Sequence, residues 1–239
     1  MTSLRVLHLY PRQLGINGDV GNVMALVQRV RWVGVSATVW DYEPGGELPD
    51  AVDVVHIGSG PLSAQRAVHA DVLRIGEQLR RWRDQQIPIL AISGGWQLLG
   101  RSLTTPDGQI LEGAAVFPSH AVLGTGRRVG EILVRTPDGQ VLAGCENHAA
   151  TTTLEGGEAL GHVMAGYGND GSDEGIRVAE SVGTHLHGAL LPMNPFVADR
   201  ILASALGEKE FPESDQRNHA DRYAQFAREA IAGRLKQQL

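Results

Sequence analysis

Residues 88–99 read P-I-L-A-I-S-G-G-W-Q-L-L: an apolar run, one side chain able to act as a nucleophile at Ser93, two glycines, and the start of an amphipathic stretch. A strand that turns sharply into a helix at such a residue lifts one side chain above the sheet, the arrangement called a nucleophile elbow. Gly94 and Gly95 allow close approach of neighbouring backbone, and the first amides of the following helix favour developing negative charge. The same segment also fits a plain strand–helix turn with a capping serine, and alone it weighs both readings equally. A second sharp break, I-G-S-G-P at 57–61, ends another apolar run, and H-L-H at 185–187 sets two imidazoles on one strand face. A hydroxyl presented at such an elbow, beside the amides of a helix start, is placed for nucleophilic attack with support for the negative charge that develops.

The elements around these residues alternate. Residues 4–10 predict a strand, and 19–33 a helix with Val20, Val23, Met24, Val27 and Val30 on one side. Strands follow at 35–40 and 52–57, then a helix from Ala64 to Gln86, then a strand at 88–93. Strand–helix alternation implies right-handed β-α-β units and a parallel sheet, and such sheets bind ligands beyond the carboxyl ends of their strands. Both glycine-rich breaks leave strands at that edge. The second half is richer in short strands, at 114–117, 129–135, 140–143, 148–154, 161–165, 176–179 and 182–187, with a helix at 195–206 opening on Pro195. Residues 215–237 predict a polar amphipathic helix with Tyr223, Phe226, Ile231 and Leu235 inward, packed on the protein's own core or on a partner.

The 239 residues, 42% apolar, suffice to bury one full core. Twenty-one basic against 27 acidic residues leave the chain mildly acidic, which argues against a nucleic-acid footprint. No apolar run reaches the ~18 residues of a membrane span, and the N-terminus lacks a signal-peptide pattern, so a soluble, cytoplasmic protein is expected. With one cysteine, Cys145, no intramolecular disulfide and no multi-cysteine zinc site can form. Cys145 is expected to be a small buried hydrophobe. No G-x-x-x-x-G-K-[ST] loop is present, so ATP chemistry would lie on another chain.

A-I-S-G-G-W-Q-L-L-G resembles the nucleophile segment of the cobyric-acid-synthase-like class I glutamine amidotransferases, and within them the GatD-like branch that serves MurT-like ligases. Further segments agree in order over nearly all of residues 4–206: G-D-V-G-N at 18–22, I-G-S-G at 57–60, G-R-R-V-G-E at 126–131, E-N-H at 146–148 and G-T-H-L-H-G-A-L-L-P-M-N-P at 183–195. The resemblance implies a flavodoxin-like three-layer α/β/α fold with a mostly parallel central sheet over residues 1–210, and 211–239 as the C-terminal helix. It implies Ser93 and His187 as catalytic pair, Gly60 and Gly94 as oxyanion donors, and Arg127 or Arg128 as the clamp on a glutamine carboxylate. Gln97 would contact substrate, and Asn147, His148 and His185 would line the site. No cofactor is implied. The spacing of His185 and His187 suits a metal pair, but no third ligand accompanies them, so no metal is expected.

The family carries cysteine where this chain has Ser93. A hydroxyl needs a well-oriented base to become nucleophilic, whereas a thiolate is intrinsically strong. No acidic residue near His187 is evident in the sequence. Ser59, Pro61-Leu62 and His185 are further departures from the family pattern. The first expectation is a glutaminase that supplies ammonia to a MurT-like Mur ligase subunit amidating the D-glutamate of peptidoglycan lipid II, with low or absent turnover. The second is a non-catalytic glutamine-binding or scaffolding pseudo-amidotransferase. The third is a serine hydrolase or dipeptidase on the same scaffold.

Overall fold

The computed structural model describes residues 3–236. In chain order it comprises β1 (Ser3–Leu9), α1 (Val20–Trp32), β2 (Ser36–Tyr42), β3 (Val54–Ile57), α2 (Leu62–Asp84), β4 (Ile89–Ile92) and α3 (Gly94–Leu99). Then come β5 (Ser102–Thr104), β6 (Ile110–Glu112), β7 (Ser119–Arg135), β8 (Val141–Leu154), β9 (Gly161–Ala165), β10 (Asp173–Glu174), β11 (Ile176–Val178), β12 (Ser181–Thr184) and β13 (Leu186–His187). Helices α4 (Leu190–Met193), α5 (Pro195–Leu206) and α6 (Asp215–Arg234) complete it.

Among the described residues, one sheet runs in the order β11-β12-β4-β3-β1-β2, parallel throughout except for the antiparallel edge strand β11. Its central strands are apolar on both faces because both are covered. Val54, Leu90 and Ile92 face one core with Val23, Leu26 and Val30 of α1 and Ile201 and Leu202 of α5. Val55, Ile89 and Ala91 face the other with Val68, Val72, Ile75 and Leu79 of α2 and Trp96 of α3. This is the α/β/α layering expected, with a mostly parallel central sheet. The later strands build a second sheet, largely antiparallel, around the long β7–β8 pair.

Where expectation and structure part, backbone hydrogen bonds give the reason. Residues 114–117 are no strand, because the amides of Ala114, Val116 and Phe117 return to the carbonyls of Leu98 and Leu99 at the end of α3. The short strands β5 and β6 fall where the sequence predicts no element. The run 182–187 is split at His185, whose amide donates to Glu174 Oε1 (2.7 Å) while that of Leu186 donates to Thr184 Oγ1 (3.1 Å). Side-chain oxygens thus take the donors that would have continued the ladder, and the chain passes from one sheet to the other. On α1, Val20 and Met24 face outward, since the buried stripe runs through Val23, Leu26 and Val30.

Helix α6 packs against α1, α4 and the β7–β8 pair. Ile231 is buried and Leu235 packs beside it, but Tyr223 and Phe226 are exposed, contrary to expectation. Residue 237, included in the expected helix, lies outside the described residues. The face of α6 turned to α1 is held by charge: Arg29 reaches Asp221 and Asp199 in a mostly buried cluster. No helix among the described residues is long and apolar enough to cross a membrane.

Candidate active site

Three loops meet beyond the carboxyl ends of the parallel strands: 10–19 after β1, 58–61 after β3 and the turn at Ser93 after β4. They fit only because glycines remove side chains where backbones touch. A Cβ on Gly58 would collide with the Leu14 carbonyl oxygen, and one on Gly95 with the Gly58 carbonyl oxygen. Ser93 itself has φ 44° and ψ −102°, a conformation rarely adopted by a residue with a Cβ. Its amide donates to Thr184 O (2.7 Å) on β12, and its carbonyl accepts from Gln97 N (2.9 Å) as α3 begins. These bonds hold the strained turn that the elbow reading requires.

His187 follows on from β12, the strand beside β4. Its Nδ1 lies 3.0 Å from Asp19 Oδ1. A carboxylate only accepts, so Nδ1 carries the hydrogen; Nε2 is buried and, among the described residues, without a hydrogen-bond partner. This corrects the expectation that no acid attends His187. Asp19 stands 168 residues away in the chain, and only the G-D-V-G-N segment that carries it marked it in the sequence. Although Asp19 stands at the start of α1, it makes no side-chain cap there. Its other oxygen accepts instead from Ser59 N (3.0 Å). Ser93, His187 and Asp19 are all nearly fully buried (3%, 1% and 0% exposed), and Ser59 ties the Ser93 turn to the pair, its amide donating to Asp19 Oδ2 and its hydroxyl oxygen accepting from Gly94 N.

The expected oxyanion donors are placed differently from one another. The Gly60 amide has no acceptor among the described residues, whereas the Gly94 amide donates to Ser59 Oγ (3.2 Å). Gln97 is buried and its Oε1 accepts from Gln65 Nε2 (3.2 Å), which also reaches Gly60 O (3.2 Å). Gln97 therefore braces the 58–61 loop through Gln65, a residue the sequence did not single out.

The two arginines are placed differently, at a register irregularity of β7 between Leu123 and Arg128. Arg127 donates through Nε to Asn147 Oδ1 (2.6 Å) and through Nη2 to Asn147 O (3.1 Å), and Asn147 Nδ2 reaches Asn17 Oδ1 (3.2 Å), two residues from Asp19. Arg128 instead lies over the Tyr167 ring, 4.2 Å from its centroid. His148 and His185 are buried and stacked, ring centroids 4.0 Å apart, beneath the site rather than on an open wall. His185 Nε2 meets Thr152 Oγ1 (3.1 Å). Burial, then the neighbouring His148 and His187, hold the His185 imidazole well below its ordinary pKa, so it is neutral. Glu174, fully buried beneath it, is pushed up to about 7 by desolvation. Cys145, expected to be buried, is exposed on β8, and partial burial and then Glu131 raise its thiol pKa, so it is a poorer nucleophile than a free cysteine.

Asp19 orients an imidazole whose Nε2 is left open to accept a proton, and the Gly60 amide, without an acceptor among the described residues, is open to donate to an oxyanion; both are parts that acyl transfer uses. Residues 5–195 match the CobB/CobQ-like glutamine amidotransferase domain. The chain is 34% identical over 215 residues to the lipid II isoglutaminyl synthase (glutamine-hydrolyzing) subunit GatD of Staphylococcus aureus (strain N315), covering 89% of this chain and 88% of that one. To the subunit of the same name from Streptococcus pneumoniae (strain ATCC BAA-255 / R6) it is 28% identical, covering 86% and 82%. A crystal structure of a glutamine amidotransferase from Thermotoga maritima shares the fold, with a TM-score of 0.54 at 15% identity, covering 98% of this chain and 96% of that one. The chain belongs to the CobB/CobQ-like glutamine amidotransferase family.

Proposed function

We propose that this chain is a glutaminase subunit that hydrolyses glutamine and hands ammonia to a MurT-like ligase, which amidates the D-glutamate of lipid II. The observation that supports the reading is the strained Ser93 turn joined to the buried His187–Asp19 pair through Ser59, which bonds both Asp19 and Gly94. In the reaction, His187 Nε2 takes the Ser93 proton as Oγ attacks the glutamine side-chain carbonyl carbon. The tetrahedral intermediate collapses to a γ-glutamyl ester and expels ammonia, protonated by His187. Water then attacks the ester with the same base, releasing glutamate. Gly60 N–H faces the developing oxyanion, and Arg127, joined to the Asn17–Asn147 edge, clamps the substrate carboxylate. The names of the two bacterial relatives support lipid II amidation and the need for a second subunit.

Ser93 limits the rate. Among the described residues, no hydrogen bond joins its hydroxyl to His187 Nε2, and such bonds tighten when substrate binds. The test is ammonia release from glutamine by the protein and by Ser93→Cys, each alone and with a MurT-like ligase. The expected result is slow release by the parent and at least about a tenfold rise with cysteine, whose thiolate is the stronger nucleophile. Glutamine binding without release from either form would replace this reading with the pseudo-amidotransferase. The Asp19–His187 contact favours a second reading, a serine hydrolase, because an oriented imidazole is what an alcohol nucleophile needs. Labelling of Ser93 by a fluorophosphonate, with no ammonia released from glutamine, would select it.

A further inference from the structure

Ser59 stands in the loop whose I-G-S-G resembles the family's glycine-rich oxyanion loop, and it bonds both to Asp19 and to the turn after Ser93. Its amide donates to Asp19 Oδ2 (3.0 Å), its carbonyl accepts from Ile16 N (3.2 Å), and its hydroxyl oxygen accepts from Gly94 N (3.2 Å). It is 4% exposed. The Gly94 amide, which an elbow ordinarily presents to an oxyanion, is therefore committed to a side chain. The Ser59 hydroxyl, in turn, accepts a hydrogen bond but donates to no atom among the described residues. A buried hydroxyl with an unspent donor is costly unless an acceptor arrives, and the carbonyl oxygen of a bound substrate is such an acceptor.

We infer that Ser59 is an oxyanion donor: its O–H, beside the Gly60 amide, takes the place that the Gly94 amide would otherwise hold. The N–H of Gly94 polarises this hydroxyl by donating to its oxygen, which makes the O–H a stronger donor toward developing negative charge. Because the Ser59 amide also grips Asp19, one residue keeps the oxyanion pocket in register with the His187–Asp19 pair. The hydroxyl keeps its proton throughout, and no bond to it is made or broken.

This inference rests on the glutaminase reading, and the experiment separates the two. Ser59→Ala, Ser59→Gly and Ser59→Thr are made in the Ser93→Cys background, with kcat and KM for glutamine hydrolysis and calorimetric glutamine affinity measured for each. The expected result is a fall in kcat of about 10²–10³-fold in the Ala and Gly variants, the range for loss of one oxyanion donor. Glutamine affinity should stay within about twofold, because the oxyanion exists only in the transition state. Threonine, which keeps the hydroxyl, should retain most of the rate. Turnover that is unchanged or faster in the Ala and Gly variants overturns the inference and makes Ser59 a cap on the Gly94 amide. No glutamine turnover from Ser93→Cys with Ser59 intact removes the glutaminase reading, and the inference with it.

Discussion

At the residue scale the site depends on one contact between residues 168 apart in the chain, Asp19 Oδ1 with His187 Nδ1. It selects the tautomer whose Nε2 can accept the nucleophile's proton. Asp19→Asn keeps the shape but can hold the opposite tautomer by donating from its amide. In the Ser93→Cys background it should lower kcat for glutamine hydrolysis by about 10²-fold or more, with glutamine affinity little changed; an unaltered kcat would remove Asp19 from the mechanism. Arg127→Ala tests the clamp. It should weaken calorimetric glutamine binding by at least about tenfold, the scale of a charge-assisted hydrogen bond. Arg128→Ala, which loses a contact with Tyr167, should leave that affinity nearly unchanged, and the reverse order would reassign the clamp.

At the scale of elements, α6 joins the rest of the protein largely through charge. Arg29 of α1 is 4% exposed and bonded to Asp199 of α5 and Asp221 of α6. Burial opposes its charge, but the two carboxylates hold its pKa above the ordinary value. Removing Arg29 leaves Asp199 and Asp221 in a partly dry site with only the longer contacts to Arg217, at 3.5 and 3.7 Å. Arg29→Met, which preserves the aliphatic stem, should cost about 3–5 kcal/mol in urea unfolding. Adding Asp199→Asn and Asp221→Asn should recover part of that loss, because the stranded charges are then gone. A single-variant loss under about 1 kcal/mol would show the cluster to behave as a solvated surface pair.

At the scale of the whole molecule, the two sheets join around a buried polar centre of Glu146, His148, Glu174 and His185. Glu174 Oε1 accepts from Thr184 Oγ1 (2.5 Å) and His185 N (2.7 Å), while Oε2 has no partner among the described residues. A glutamate free in water ionises near 4.5, and burial pushes this carboxyl up to about 7 in the fold. Between these values the unfolded chain releases a proton that the folded chain keeps. Stability therefore falls as pH rises from about 4.5 to about 7, and this group adds no further slope above that. Glu174→Gln retains an acceptor for Thr184 and His185 and removes the ionisation. Its stability relative to the parent, from urea unfolding at pH 5 and pH 8, should rise with pH by about 1–3 kcal/mol. Equal pH slopes for the two proteins would show that Glu174 ionises normally in the fold.

The sequence alone determined the parallel half of the fold and the two ends of the candidate pair. β3 and β4 are short apolar runs closed by glycines, and local chemistry is enough to read a strand and its turn. The elbow at Ser93 and the histidine segment at 183–195 were legible for the same reason: each is a contiguous motif. Tertiary structure alone decided what meets those motifs. Asp19 reads locally as a helix start, yet it turns to His187 because loop 10–19 is packed under Gly58. Ser59 reads as a turn residue until Gly94 is placed beside it. Which of Arg127 and Arg128 turns toward the Asn17 edge depends on a register irregularity between Leu123 and Arg128, and one residue of slip exchanges the two faces of a strand. Contacts between residues distant in the chain leave no periodicity in it, so only the folded backbone could supply them.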